Sequence, residues 1–416
     1  MRGPSAPSLP GLPHPDRMKP LAARAAALRQ SDIRAITFAA NAAGAVNLGQ
    51  GICDLATPEP IREATKTAID KGKSIYTPYN GIAELRDAIA EKARAFNGIP
   101  ATANGVVVAA GSTGAFVAAV LATCEAGDEV ILFEPFYGYH AGILRLFGVT
   151  PVVVPLAAPD WSFDPERLEA AVTPRTKAIL VCTPANPSGK VWTHDELSAV
   201  LRVARRHDLW CLTDEIYEHM VYGDAAHVSL ASLPGAFERT VTLSGFSKTF
   251  NMTGWRLGYA VAPEPLAEAM GLVSDLTTIC APAPLQHGLA AALPMPDAYY
   301  AEMLADYTAK RALFCDTLDA CGFGEAPSAA HPGGVHRPEG AYYVLASTER
   351  IAARRPGFED DTAAAHTLIR EAGVGAVPGN SFFQHPADGR HYLRFCYAKE
   401  MDVLEEACRR LRDLLA

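Results

Sequence analysis

Seven short apolar runs between about residues 105 and 262, separated mostly by helical patterns, limit the folds open to this chain more than any other feature. Successive positions within each run are apolar, so both faces of each predicted strand must be covered by other structure. Strands that alternate with helices predict an α/β protein whose large, mostly parallel sheet is sandwiched by helices. Ligands of such sheets bind beyond the carboxyl ends of the strands. The runs are Val106–Val108, Val130–Phe133, Val152–Val154, Ala178–Val181, Leu209–Leu212, Val241–Leu243 and Gly258–Val261.

The length and the later part of the chain predict a second domain. The 416 residues exceed what one hydrophobic core usually organises. After about residue 295 the alternation stops, and a long helical stretch, a Pro- and Gly-rich loop, one short strand and two more helices follow, which predicts a smaller α+β domain. The expected divisions are a disordered proline-rich tail over 1–19, an N-terminal part of the small domain over 20–58, the large domain over 59–295 and the C-terminal small domain over 296–416.

Charge and cysteine content narrow the class of protein. The net charge is −9 and the pI about 5.8, without blocks of basic residues, which argues against a nucleic-acid-binding protein. The nine cysteines lack Cys-x-x-Cys spacing, so neither a disulfide framework nor a metal site is expected, and the thiols indicate a reducing cytoplasm. No apolar run is long enough for a membrane span, and the first residues lack the apolar segment of a signal peptide.

The segment Ser247–Tyr259 carries the strongest chemical signal. It places Lys248 just after the apolar run Val241–Leu243, and Arg256 eight positions later. A lysine at the end of a strand can form a Schiff base with an aldehyde cofactor, and an arginine returning to the same site can hold that cofactor's phosphate. A lone lysine would instead be interpreted as a surface residue. The whole segment resembles the lysine region of the fold-type I, pyridoxal 5'-phosphate (PLP) dependent aminotransferases of class I/II, and the resemblance continues over nearly the whole chain from about residue 30.

This resemblance implies PLP as the cofactor and a role for three residues in the chemistry. Lys248 is implied to be the Schiff-base lysine. Asp214 is implied to face the pyridine nitrogen, where a carboxylate keeps that nitrogen protonated so that it draws electrons from the substrate Cα. Tyr217, three residues later, is implied to reach the cofactor's phenolic oxygen. Without the resemblance, an Asp-Glu pair after a strand would equally fit the start of a helix.

Two turns are implied to contact the cofactor. Asn186, in an Asn-Pro-Ser-Gly sequence, matches an asparagine that touches the cofactor, and the bond to Pro187 is expected to be cis. An ordinary turn is the alternative interpretation. The second turn follows a strand and opens a helix expected over 115–124, where free N–H groups suit a phosphate. The implied phosphate-binding residues are Gly111, Ser112, Thr113, Ser247 and Arg256, with Ser244 as a further candidate.

Two aromatic residues are implied to contact the cofactor, one at its ring and one at its phosphate. Tyr137 matches the aromatic residue that stacks on the PLP ring, and Phe136 is the competing assignment. Tyr76 matches a tyrosine that reaches the phosphate from the partner subunit in this family, which implies a homodimer. An aromatic residue without functional contacts in a loop is the alternative for Tyr76.

Substrate binding is assigned to Arg394, Asn186 and Gly51. Arg394 lies within an apolar strand, and a buried arginine is rare without an anion. Its guanidinium matches a carboxylate in a two-bond fork, and the resemblance implies that it grips the substrate's α-carboxylate. A structural salt bridge is the alternative. Gly51 resembles a backbone position that shapes the carboxylate pocket.

The resemblance therefore implies an enzyme that moves an amino group from an L-amino acid to a 2-oxo acid in a ping-pong cycle. Lys248 would carry the proton from the substrate Cα to the cofactor's C4′ carbon. Two alternatives remain open: β-elimination on the same scaffold, and a PLP-binding transcription regulator, for which the first thirty residues offer no room for a DNA-binding module. The sequence leaves the amino donor and the oxo-acid acceptor undecided.

Overall fold

The computed structural model describes residues 21–26, 32–327 and 332–415, so the predicted tail over 1–19 lies outside the described residues. The strands are β1 Val46–Asn47, β2 Val106–Ala109, β3 Glu129–Glu134, β4 Thr150–Pro155, β5 Thr176–Cys182, β6 Trp210–Asp214, β7 Thr240–Gly245, β8 Gly258–Val261, β9 Tyr343–Ser347, β10 Val374–Gly375, β11 Val377–Pro378 and β12 Tyr392–Cys396. The α-helices are α1 Ala23–Ala26, α2 Asp32–Ala42, α3 Glu59–Asp70, α4 Ala83–Ala95, α5 Gly111–Thr123, α6 Gly138–Leu146, α7 Pro165–Ala171, α8 His194–Arg206, α9 Glu264–Thr278, α10 Ala283–Ala292, α11 Asp297–Ala320, α12 Glu349–Ala352, α13 Asp361–Thr367, α14 Pro386–Gly389 and α15 Met401–Leu415, and a π-helix, Leu368–Ala372, continues α13.

A seven-stranded sheet in the order β2-β8-β7-β6-β5-β3-β4 confirms the predicted fold class. Only β8 runs antiparallel to its neighbours in this sheet. Side chains alternate between its two faces: Leu132 and Leu180 pack towards α5 and α9, whereas Ile131 and Ile179 pack towards α8. Each such fully buried side chain contributes about 1.5–3 kcal/mol, which explains why the runs are apolar at successive positions.

A second group of elements surrounds a three-stranded antiparallel sheet in the order β11-β12-β9. The core on this side includes Phe314 of α11, Phe395 of β12 and Leu411 of α15. Leu48, from the segment over 32–58, joins the same core, and β1 pairs with β10. The described residues between 32 and 415 belong to one compact unit, and the domain boundaries near 58 and 295 stay a prediction.

Local sequence signals account for where several helices begin. Thr193 and Glu196 form a reciprocal capping box at the start of α8, and Asp164 accepts a hydrogen bond from the first turn of α7. The helix expected from residue 115 begins earlier, at Gly111, with no side-chain cap at its N-terminus. Its first N–H groups are therefore available to a ligand. Across the described ranges, no helix is both long and apolar enough to span a bilayer.

Candidate active site

A cavity of about 210 Å³ lies at the carboxyl ends of the large sheet's parallel strands. Parallel pairing sets Asp214, the last residue of β6, opposite Leu243 of β7, so the turn that follows β7 brings Lys248 to the same edge. Apart from the further candidate Ser244, all but two of the residues predicted for the site line this cavity: Gly51, Ser112, Thr113, Tyr137, Asn186, Asp214, Tyr217, Ser247, Lys248, Arg256 and Arg394. The exceptions are Gly111, which adjoins Arg256, and Tyr76, which is 78% exposed.

The Lys248 amine lies inside the cavity, and its Nζ donates a hydrogen bond to the Gly51 carbonyl oxygen at 3.0 Å. The rings of Tyr217 and Tyr342 lie 5.9 and 5.7 Å from this nitrogen. Burial lowers the pKa of the Lys248 amine to about 8, because the surrounding protein withholds bulk water from the charged form. A far larger share of neutral, nucleophilic amine is therefore present near neutral pH than an exposed lysine has.

Asp214 is buried and has a partner that the sequence analysis did not identify. Its Oδ2 lies 3.0 Å from the His140 Nε2, and its Oδ1 accepts a hydrogen bond from the Ile216 N–H at 3.3 Å. A carboxylate only accepts, so the His140 ring nitrogen is the donor. His140 stands in the first turn of α6, three residues after Tyr137, and this position next to a predicted ring-stacking residue is the signal that could have identified it.

A pair of tyrosine hydroxyls closes one side of the cavity. The hydroxyl oxygens of Tyr217 and Tyr343 lie 3.0 Å apart. Burial raises the pKa of Tyr217 well above its usual value and that of Tyr343 to about 12, so both hydroxyls stay protonated and able to donate. Tyr343 was not predicted as a site residue. A Cβ atom at Gly51 would lie 1.9 Å from the Tyr343 hydroxyl oxygen, which explains the glycine at that position.

Arg394 is 1% exposed, and among the described residues no carboxylate pairs with it. Its Nη1 donates to the Asn186 side-chain oxygen at 3.0 Å, and its Nε has no partner. The rings of Tyr343 and Phe382 flank the guanidinium at 4.5 and 4.9 Å. Among the described residues Arg394 thus has no salt bridge of the kind considered as the alternative, and the buried guanidinium has unused capacity for an anion. The Asn186–Pro187 bond is cis, as expected.

Another part of the cavity lining combines Arg256 with the uncapped start of α5. The Arg256 Nη1 donates to the Thr253 carbonyl oxygen at 3.0 Å, and no ion pair involves Arg256 within the part of the chain that is described. A Cβ atom at Gly111 would lie 2.5 Å from the Arg256 Nη2, so the uncapped start of α5 abuts this cation. At Gly258, a Cβ atom would lie 2.4 Å from the Ser112 backbone nitrogen. These residues fit a phosphate group.

The positions of Phe136 and Tyr137 distinguish the two candidates for the residue that stacks on the cofactor ring. Phe136 packs into the hydrophobic core, whereas Tyr137 lines the cavity. Burial raises the pKa of Tyr137 above its usual value, and its ring stacks on that of Tyr139 at 5.2 Å.

Ser244, the further candidate for phosphate binding, does not line the cavity. Its hydroxyl instead donates a hydrogen bond to the Glu218 carboxylate at 2.8 Å.

A mostly parallel sheet whose carboxyl edge holds a lysine amine, a buried carboxylate and an uncapped helix start agrees with the arrangement implied by the resemblance to the fold-type I transferases. The chain belongs to the class I and II aminotransferases, since the model of that family matches residues 43–411. PLP is the cofactor of that family. The protein is therefore an enzyme, its activity is transamination, and β-elimination is not favoured.

Named relatives agree with this assignment. The probable N-succinyldiaminopimelate aminotransferase of Mycobacterium tuberculosis (strain ATCC 25618 / H37Rv) is 37% identical over 383 residues, which cover 88% of this chain and 92% of the relative. Aromatic-amino-acid aminotransferase 2 of Thermococcus litoralis is 36% identical over 89% of this chain and 92% of its own length. The solved structure of the mycobacterial N-succinyldiaminopimelate aminotransferase has a TM-score of 0.88 at 34% identity, covering 95% of this chain and all of its own. Aspartate aminotransferase from Thermus thermophilus with maleate has a TM-score of 0.85 at 35% identity, covering 96% and 100%.

Proposed function

We propose that this chain binds PLP and transfers an amino group from an L-amino acid to a 2-oxo acid in a ping-pong cycle, with Lys248, Asp214 and Tyr217 as its catalytic residues. One observation carries the proposal: the cavity combines a lysine amine of lowered pKa with a buried carboxylate and two arginines that have no carboxylate partner within the described chain. An amine, an acid and two anion-binding groups are what a phosphorylated aldehyde cofactor and an amino acid need together.

The lining residues would hold the cofactor by its separate groups. When bound, PLP supplies an aldehyde that condenses with amines and a pyridinium ring that withdraws electrons from the substrate Cα. Asp214 would pair with the ring nitrogen, and the His140 donor would keep that carboxylate oriented. Asn186 and Tyr217 would donate to the phenolic oxygen, and the Tyr137 ring would cover one face of the cofactor. The phosphate would be bound by Gly111, Ser112, Thr113, Ser247 and Arg256.

Lys248 Nζ would remove the proton from the substrate Cα, which requires the amine to be neutral. The lowered pKa of this group supports that role. Arg394 would bind the α-carboxylate together with Asn186, and so hold the Cα beside the lysine. The protonated hydroxyls of Tyr217 and Tyr343 would donate hydrogen bonds without adding negative charge near the substrate carboxylate.

Arg394→Lys is expected to raise KM for the amino acid about 10- to 100-fold while changing PLP affinity by less than about threefold. Lysine keeps the charge but loses the planar two-bond fork. Steady-state kinetics and cofactor titration measure the two effects separately. Equal losses of substrate and cofactor affinity would indicate a structural role for Arg394 instead.

The activity itself is tested with the twenty standard amino acids, each assayed with pyruvate and with 2-oxoglutarate. Transamination requires the oxo-acid acceptor and consumes it in equal amounts with the donor. Pyruvate released from a cysteine conjugate without any acceptor would point to β-elimination. The relatives' names span aspartate, N-succinyldiaminopimelate and aromatic amino acids, so both charged and uncharged side chains belong in the panel.

We further propose a homodimer in which Tyr76 reaches the phosphate of the partner's site. Ile75 and Tyr76 are 80% and 78% exposed, and Leu276 on α9 is 89% exposed, which supports a surface that another subunit covers. Two-fold homodimers are also the commonest oligomers. The free cysteines support the cytoplasm as the location.

Mixed dimers test this arrangement. Lys248→Ala chains and Tyr76→Ala chains should each be impaired, whereas their hybrid should recover part of the activity, because one of its two sites has both residues. The control is subunit exchange within each single variant, which should restore no activity. Light scattering measures the mass of the oligomer. A monomeric mass, or no recovery after demonstrated subunit exchange, would contradict the shared site.

A further inference from the structure

Strand β3 begins and ends with a buried glutamate, at Glu129 and Glu134. The partners of Glu129 account for its burial, since its carboxylate accepts hydrogen bonds from the Thr173 hydroxyl at 2.5 Å and from the Arg175 Nε at 2.9 Å. Glu134 is 7% exposed and stands at the carboxyl end of the strand, where the active-site cavity lies. It has no place in the proposed chemistry, so its burial needs another explanation.

The Glu134 carboxylate holds a segment that is distant in the sequence. Its Oε1 accepts a hydrogen bond from the Gln384 backbone N–H. Two positions after Glu134, the Phe136 N–H donates to the Phe382 carbonyl oxygen at 2.9 Å. The end of β3 and the 381–384 segment are therefore joined side by side, and the Glu134 side chain forms one of the two joining bonds.

The 381–384 segment depends on this contact more than the strand does. The end of β3 is fixed by its pairing with β4, in which Glu134 lies opposite Pro155. The 381–384 segment follows β11 as a 3-10 turn and the residues after it, and it belongs to no strand. Gln384 is exposed, so without the carboxylate its N–H would bond to water instead. Loss of the carboxylate would thus release the segment and leave the strand in place.

The 381–384 segment bears on the site because it carries Phe382. This residue is 0% exposed, and its ring lies 4.9 Å from the Arg394 guanidinium, the group that binds the α-carboxylate in the proposed function. An ion pair between guanidinium and carboxylate is stronger where water is excluded. Strand pairing and the bond to Asn186 hold Arg394 itself, so displacing Phe382 would change the surroundings of the cation more than its position.

We propose that Glu134 is a positioning residue for substrate binding: its carboxylate holds the 381–384 segment so that Phe382 covers the Arg394 guanidinium. This inference rests on the proposed function, in which Arg394 binds the substrate. Because Glu134 acts through the cation that binds the α-carboxylate, its loss should weaken substrate binding and leave the chemical step and the affinity for PLP in place.

Substitutions at the two ends of β3 separate positioning from stability. With the best amino-acid donor, Glu134→Ala should raise KM about 5- to 20-fold and change kcat and PLP affinity by less than about threefold. Glu134→Gln keeps an oxygen that can accept the Gln384 N–H, so its KM should stay within about threefold of the unmodified value. Glu129→Ala also removes a buried carboxylate, but at the far end of β3, so it should lower the melting temperature and leave KM unchanged.

Glu134→Asp makes the test independent of whether Glu134→Ala folds. Aspartate keeps the charge but is one methylene shorter, so its KM should rise in the same direction. An unchanged KM in Glu134→Ala or Glu134→Asp, or an equal rise in Glu129→Ala, would overturn the inference alone. Absence of transamination with every amino acid in the unmodified enzyme would overturn the proposed function on which the inference rests.

Hydrogen exchange measures the contact without turnover. Peptides that cover residues 381–385 should exchange their amide protons at least about fivefold faster in Glu134→Ala than in Glu134→Gln, because the Gln384 N–H loses its acceptor. Peptides from β3 are the internal control and should exchange equally in both variants, since the strand pairing is kept. Unchanged exchange over 381–385 in Glu134→Ala would contradict the role of this hydrogen bond.

A double-substitution cycle tests the route through Phe382. Phe382→Leu should raise KM by a factor similar to that of Glu134→Ala, because leucine covers the guanidinium less completely. The double variant should raise KM no further than the larger single effect, since both substitutions remove the same cover. Single effects that multiply in the double variant would show that Glu134 acts by another route, and would overturn the inference.

Discussion

The Lys248→Ala protein is expected to lose at least about three orders of magnitude in kcat, the largest effect of any single substitution in this chain. Alanine removes the nucleophile that binds the cofactor and also the group that moves the Cα proton. Far-ultraviolet circular dichroism should show an unchanged fold, because the residue lies in a turn that follows β7. Lys177→Ala, at an exposed position on β5, is the matched control and should keep full activity. Full turnover by Lys248→Ala would exclude the assignment.

The chemical identity of the lysine can be established without measuring turnover. Borohydride reduction of the cofactor-loaded protein, followed by peptide mass spectrometry, should find the mass of the reduced cofactor on Lys248. Capture of PLP by cofactor-free protein should also depend on pH in a specific way. Because burial lowers the pKa of this amine to about 8, the neutral form is about a tenth of the total at pH 7, and the capture rate should rise until the pH passes 8. A rate that keeps rising to the ordinary lysine value of 10.5 would contradict the lowered pKa.

Strand positions could be predicted because each buried strand needs apolar residues on both faces, and few other structures have that requirement. All seven predicted runs are strands of the large sheet. The first residue of a helix is harder to predict where no capping residue marks it. The start of α5 at Gly111 is an example, since it has neither a side-chain cap nor a proline. The residues at the strand ends could also be placed together, since parallel strands bring their carboxyl ends to one edge.

Contacts between side chains from distant segments could not be predicted from local sequence patterns. His140 reaches Asp214 across 74 positions, and Tyr343 meets Tyr217 across 126. Gly51 and the Tyr343 hydroxyl likewise lie close together although they are far apart in the sequence. Such contacts depend on how the helices and the two sheets pack, and hydrophobic periodicity carries no information about that. The position of Tyr76 relative to any partner subunit stays a prediction for the same reason.

Asp214→Asn is expected to lower kcat about a hundredfold to a thousandfold while the stability and most of the cofactor affinity remain. The amide cannot hold a proton on the pyridine nitrogen as a carboxylate does, so the ring would withdraw electrons from the Cα less strongly. The asparagine side-chain oxygen can still accept the hydrogen bond from the Ile216 N–H, which is 3.3 Å long in the unmodified protein. The substitution therefore separates the two interpretations of Asp214, because a residue that only caps the following turn would tolerate asparagine.

His140→Phe completes this test, since it removes the 3.0 Å contact with Asp214 but keeps a ring between Phe116 and Tyr137. We expect a smaller loss of kcat than in Asp214→Asn, together with a shift in the pH dependence of the bound cofactor's absorbance, because the carboxylate loses the donor that orients it towards the ring nitrogen. A purely structural histidine would change the melting temperature and leave that absorbance profile in place. If Asp214→Asn turns over as fast as the unmodified enzyme, the carboxylate does not act on the ring nitrogen, and the catalytic role proposed for Asp214 is excluded.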